Sequence, residues 1–207
     1  MDYIVKPHEI EEKSMEIISV LIGALEIPPA EQAIVKRIVH TTGDPEYAKL
    51  VKIHPEATEA AFQAIKNGGD IFTDVRMVLT GINKKRLAVF GGIVHCAIDD
   101  PVVADVAAIS GETRAITAMK HFGEKINGSI VAIGNAPTAL FQVLKMVDAG
   151  IKPALIVGTP VGFVGAKESK ELLETYDIPF VTVTGYKGGS AVAAATINAL
   201  LLQLYEE

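Results

Sequence analysis

Three times in the carboxyl-terminal half of this chain, a short β-branched, apolar run breaks at a glycine-rich corner and passes into a helical pattern. That recurrence limits the fold more than any other feature. In the first instance, Ser129-Ile130-Val131-Ala132-Ile133-Gly134-Asn135-Ala136-Pro137-Thr138-Ala139-Leu140, residues 130–133 read as a buried strand and Gly134-Asn135 turns the chain. Pro137 suits a first helical position, because its missing N–H would have had no partner there. The second corner leads from residues 153–157 into Gly158-Thr159-Pro160-Val161-Gly162-Phe163-Val164-Gly165, and the third from 180–184 into Gly185-Tyr186-Lys187-Gly188-Gly189-Ser190. Corners of this kind present backbone N–H groups and the positive end of a helix where open α/β sheets bind ligands. Gly134 and Asn135 are therefore the first candidate contacts; the plainer reading, that they only turn the chain, stays open at this point.

The rest of the chain alternates in the same way. Apolar spacing predicts helices over 7–25 and 30–40, a short strand near residue 53, a helix over 55–67, a strand over 71–74 and a short helix over 75–81. A glycine-interrupted strand follows over 89–96, then helices over 99–109, where Asp99-Asp100-Pro101 supplies a cap, and over 113–122. After the Gly134 corner come helices to residue 149, over 166–176 and over 188–204; in the middle one Lys167, Glu168, Lys170 and Glu171 are placed on the solvated side. Strand and helix in alternation predict an α/β fold with a mostly parallel sheet covered by helices on both faces, a three-layer sandwich.

A length of 207 residues suits one domain spanning 1–207, and 49% hydrophobic with 21% charged residues is an ordinary globular balance. Net charge of −6 argues against a nucleic-acid surface. The most apolar run, residues 191–202, is shorter than the ~20 residues that span a bilayer, so no membrane span is expected. The single Cys96 has no internal partner, and Met1-Asp2-Tyr3-Ile4-Val5-Lys6 lacks the apolar core of a signal peptide, which together predict a cytoplasmic protein.

Familiar catalytic signatures are missing: there is no phosphate-binding G-x-x-x-x-G-K-[ST], no dinucleotide G-x-G-x-x-G after a strand, no G-x-S-x-G and no H-E-x-x-H. The histidines His8, His40, His54, His95 and His121 are scattered, and His95 beside Cys96 is too little for a metal centre, so no protein-bound metal is expected. Arg37 and His40, three apart, share a face near the end of a helix that Thr41-Thr42-Gly43-Asp44-Pro45 stops. A cation there is favoured by the helix dipole, so capping and acid–base chemistry both fit His40. Ser14, mid-helix, reads first as a back-bonded residue. Asp74, Arg76, Thr80 and Asn83 are expected to cluster at one corner as an ion pair or a ligand clamp, and Arg114, a cation in the first turn of its helix, suggests an anionic ligand. These features are consistent with proton transfer on a large anionic substrate.

Taken together, Arg37-Ile38-Val39-His40, Asp74-Val75-Arg76-Met77-Val78, Gly134-Asn135-Ala136-Pro137-Thr138-Ala139-Leu140-Phe141, Pro160-Val161-Gly162-Phe163-Val164-Gly165 with Glu168-Ser169-Lys170, and Gly188-Gly189-Ser190 resemble the precorrin-8X methylmutase family, including its cobalt-precorrin-8 branch. The resemblance covers nearly the whole chain. It implies a homodimeric α/β isomerase of corrinoid biosynthesis that shifts one methyl group between adjacent carbons of ring C of a tetrapyrrole, giving hydrogenobyrinate or cobyrinate. It implies no cofactor; cobalt, if present, is carried by the substrate. The family's general acid–base histidine falls on His40 and its substrate contacts on Ser14 and Arg37, with Arg76, Thr80 and Arg114 as weaker correspondences. Tyr186 stands where the family pattern has a basic residue. A corrinoid carrier without turnover, and a nucleotide-dependent α/β enzyme using the same corners, are the alternatives.

Overall fold

A computed structural model describes residues 4–206. Six short strands, β1 (Val51–Ile53), β2 (Ile71–Thr73), β3 (Val94–Cys96), β4 (Ile130–Ile133), β5 (Leu155–Gly158) and β6 (Phe180–Val183), form one sheet in the order β1-β6-β5-β4-β2-β3. Neighbours are parallel except β1, which pairs antiparallel with β6 at one edge.

Alternation along the strands divides the interior in two. In β4, Ile130 and Ala132 face one core while Val131 and Ile133 face the other, as the two-residue period of a strand requires. The first core is closed by α1 (Pro7–Ile22), α2 (Pro29–Thr42), α3 (Tyr47–Leu50), α4 (Ala57–Lys66), α5 (Arg76–Gly81), α6 (Lys84–Val89) and the last helix, Ser190–Glu206. The second is closed by α7 (Pro101–Ser110), α8 (Arg114–Phe122), α9 (Pro137–Asp148) and α10 (Ala166–Leu173). The last helix is α11; its residues Val192 to Ala195 are buried, and it packs against α2 and α5. These layers are the expected three-layer α/β sandwich.

Several boundaries move for local reasons. The first helix stops at Ile22, because Gly23 leaves helical geometry at φ 71°. Residues 84–89 form a helix where none was read, and the strand expected over 89–96 begins only at Val94. Gly91 takes φ 91°, and a Cβ on Gly92 would lie 2.5 Å from the Gly69 carbonyl oxygen, so this segment is a tight backbone crossing. In α10, Lys170 is fully buried although its neighbours placed it on a solvated face.

Candidate active site

The chain leaves β2 towards β3 on one side of the sheet and reaches β4 on the other, so the carboxyl ends of β2 and β4 form the topological switch point where open sheets bind ligands. Here that crevice is already filled. Asp74, completely buried, accepts the amide of Gly134 at 3.0 Å, that of Asn135 at 2.8 Å and that of Ala136 at 2.7 Å. Burial pushes its carboxyl upward, and the three amide donors pull it back. Its own carboxylate thus takes the anion position at the start of α9. The expectation that a ligand anion sits on the Gly134 and Asn135 amides is corrected by this bond set. Gly134 serves close packing instead: a Cβ there would lie 2.6 Å from Ser190 Cα and 2.7 Å from Val78 Cγ2. The Asn135 side chain remains exposed at the corner. A nucleotide-dependent enzyme finds no free phosphate cradle at this point.

Arg37 and His40 project from the second half of α2. His40 is exposed in its last turn, before Gly43 ends the helix in the left-handed conformation at φ 65°. Ser14 and His40 line one hollow of about 230 Å³ between α1 and α2, which Ile17, Leu21 and Val39 make largely apolar. The Ser14 hydroxyl donates to the Ile10 carbonyl at 2.7 Å, the back-bond expected of a mid-helix serine, which leaves its oxygen able to accept. Arg37, one turn earlier than His40, turns to other hollows: its Nη2 donates to Glu11 Oε1 at 2.8 Å, and this bond holds the Glu11 carboxyl below its ordinary range.

The cluster expected around Asp74 does not form. Arg76 pairs with exposed Asp99, Thr80 back-bonds to the Arg76 carbonyl at 2.6 Å, and Asn83 caps α6 by accepting the Arg86 amide at 3.1 Å. The Asp74 oxygens are already occupied by the three amides. Arg114 stands exposed at the first position of α8, capped by Thr113, in the opposite helix layer from Ser14, Arg37 and His40. Arg76, Thr80, Arg114, Gly134 and Asn135 line none of the hollows that Arg37 and His40 face.

Further contacts tie the α2 terminus to the glycine-rich corner after β6. Lys187 Nζ bonds Asp44 and also Glu46, the latter at 2.7 Å, and the Tyr47 hydroxyl accepts the Gly188 amide at 3.2 Å. From beneath, Lys170 Nζ donates to the Lys187 carbonyl at 2.6 Å. Burial pulls the Lys170 ammonium down to about 8. Nearby, Met77, Phe163, Val164 and Tyr186 form an exposed apolar rim along the carboxyl edge of the sheet, with the Phe163 and Tyr186 rings 5.4 Å apart. Sequence reading missed Arg86, Asn198 and this rim; only the glycine corners themselves hinted at it.

Comparison with known proteins decides what kind of molecule carries this arrangement. A sequence profile described as precorrin-8X methylmutase matches residues 9–203. The chain belongs to the precorrin-8X methylmutase family. As a methylmutase it is an intramolecular isomerase. It is 46% identical to the cobalt-precorrin-8 methylmutase of Leptospira interrogans over 93% of this chain and 92% of that one. It is 42% identical to the cobalt-precorrin-8 methylmutase of Salmonella typhimurium over the full length of both, and 40% identical to the precorrin-8X methylmutase of Pseudomonas aeruginosa over 97% of each. The crystal structure of a precorrin-8X methylmutase from Thermus thermophilus superposes with a TM-score of 0.88 at 35% identity, covering 95% of this methylmutase and 98% of that chain.

Proposed function

We propose that this methylmutase acts on precorrin-8X or its cobalt-bearing counterpart, moving one methyl group between adjacent carbons of ring C to give hydrogenobyrinate or cobyrinate, with His40 as general acid and base. The observation that carries the assignment of His40 is its exposure on the same hollow as Ser14, one turn beyond Arg37. In this reading His40 gives a proton to the conjugated ring system, the polarised system lets the methyl group migrate, and the proton returns to the imidazole as the product relaxes. No atom is gained or lost. Ser14 and Arg37 hold polar edges of the macrocycle, and Arg76, Thr80, Arg114 and the Asn135 side chain are the more distant contacts.

A homodimer with the substrate at the subunit boundary is part of the proposal. Two observations support it: Arg114 and His40 occupy opposite helix layers, and the apolar side chains of Met77, Phe163, Val164 and Tyr186 are exposed. Sedimentation is expected to show a dimer; a monomer with full activity would remove this part.

The enzyme is proposed to need no cofactor, with any cobalt arriving inside the macrocycle. Its proposed place is the cytoplasm; among the described residues no helix is long and apolar enough to cross a membrane. Incubation with precorrin-8X and with cobalt-precorrin-8, followed by visible absorption, tests the function. Conversion of either one is expected. Stoichiometric binding with no conversion of either would leave a carrier and end the proposal.

A further inference from the structure

Arg37 shares its surroundings with a second arginine that no sequence motif marks. Two adjoining hollows of about 610 and 380 Å³ run along α1, α2, α6 and α11, and both are lined by Arg37 and Arg86.

Arg86 is held from behind. Its amide donates to Asn83 Oδ1 at 3.1 Å, and the Asn83 amide donates to Asn198 Oδ1 on α11 at 2.8 Å. Asn198 Nδ2 donates in turn to the Gly81 carbonyl at 2.8 Å, so one side chain of α11 grips the turn between α5 and α6 on both sides. The helices meet so closely there that a Cβ on Gly81 would lie 2.7 Å from Ala194 Cβ. The half-buried guanidinium lies 5.7 Å from the centroid of the Tyr205 ring, a contact that orients its plane while leaving its N–H edge for a ligand.

Among the described residues Arg86 forms no ion pair, whereas Arg37 is paired with Glu11 and Arg76 with Asp99. In a chain with 25 acidic against 19 basic residues, a fixed guanidinium without an ion-pair partner, on a smaller hollow whose lining holds no carboxylate, is placed to take an anion from outside. Glu11 and Glu12 line the larger hollow, but Glu11 is engaged by Arg37.

We propose that Arg86 is a second carboxylate fork of the substrate site, gripping one acidic side chain of a polycarboxylate ligand while a neighbouring acid of that ligand engages Arg37, and that Asn198 is its positioning residue. The inference rests on the assignment of Arg37 as a substrate contact. A planar fork matches a carboxylate with two parallel hydrogen bonds, which a lysine cannot reproduce.

The test is titration of the intact protein with hydrogenobyrinate, read by visible absorption, for Arg86→Ala, Arg86→Lys, Arg37→Ala and Asn198→Ala, with circular dichroism as a fold control. Arg86→Ala is expected to weaken binding at least tenfold, with little recovery in Arg86→Lys. In a separate turnover assay with precorrin-8X, Asn198→Ala should raise KM while leaving kcat near that of the parent enzyme, a split that general loss of folded protein would not produce. Arg86→Ala binding within twofold of the parent, with Arg37→Ala weakened, overturns the role of Arg86 alone. Both within twofold would overturn the Arg37 assignment as well. Should Arg86→Ala not fold, Arg86→Gln is read against the same limits.

Discussion

Asp74 Oδ2 accepts the amide of Ala136 at 2.7 Å across 62 residues of sequence. With the Gly134 and Asn135 amides on the same carboxylate, this one side chain joins the end of β2 to the start of α9. Asp74→Ala would leave three amides without their acceptor, and each buried unpaired donor costs about 1–3 kcal/mol. A loss of about 3 kcal/mol or more is expected in urea unfolding, with a smaller loss in Asp74→Asn, which keeps one acceptor oxygen. A loss under about 1 kcal/mol in Asp74→Ala would show that water replaces the carboxylate at little cost.

The Glu11 and Arg37 pair sets up a competition. Substrate carboxylate and Glu11 need the same guanidinium, so Glu11→Gln, which keeps shape and removes charge, should tighten product binding severalfold. Arg37→Ala should weaken it by about 1.5–3 kcal/mol, the range for a hydrogen bond to a charged group, and Arg37→Lys should also lose affinity. Product titration reads all three. Unchanged affinity in both Arg37 variants would make the pair with Glu11 its whole purpose.

General acid–base help is worth about 10²–10⁴-fold, so His40→Ala should lose that much turnover and keep product affinity. A helix-capping histidine would behave differently, losing at most about 1 kcal/mol of stability and keeping its rate. Single-turnover conversion by the folded variant separates the two, and a rate within about threefold of the parent would leave His40 a cap.

Lys170 predicts a pH dependence of stability. Its folded-state value of about 8 lies below the ordinary 10.5, so the folded protein releases this proton first. The burden of a buried ammonium is therefore full below pH 8 and is relieved as pH rises from about 8 towards 10.5. Relative to Lys170→Met, the parent protein should gain up to about 3 kcal/mol over that interval. Urea unfolding of both proteins at pH 7, 8.5 and 10 reads this difference. A difference that stays flat with pH would show that Lys170 is hydrated or neutral throughout.

How far the sequence could be read depended on the range of the forces involved. The run 130–133, the turn at Gly134-Asn135 and the helix from Pro137 were legible because strand alternation, glycine geometry and the missing proline N–H act within a few residues. The same holds for Asp100, whose side chain caps a helix two residues ahead. Family membership was legible too, because long motifs preserve their order along the chain whatever their place in space.

What the sequence by itself determined was thus the alternation of elements, the two-sided sheet and the family. Tertiary structure alone decided what occupies each corner. Nothing near Asp74 in sequence says that its carboxylate will fill the amide cluster at Gly134, and nothing near Lys170 says that it will be buried under the Lys187 carbonyl. Asn198, in an apolar run, gave no sign that it grips the turn before Arg86. Each of these contacts joins segments 17 to 117 residues apart, so chain path and helix packing, rather than local preference, choose the partner. The division of Ser14, Arg37 and His40 from Arg114 has the same origin, since the side of the sheet on which a helix packs is set by the crossover that carries it there.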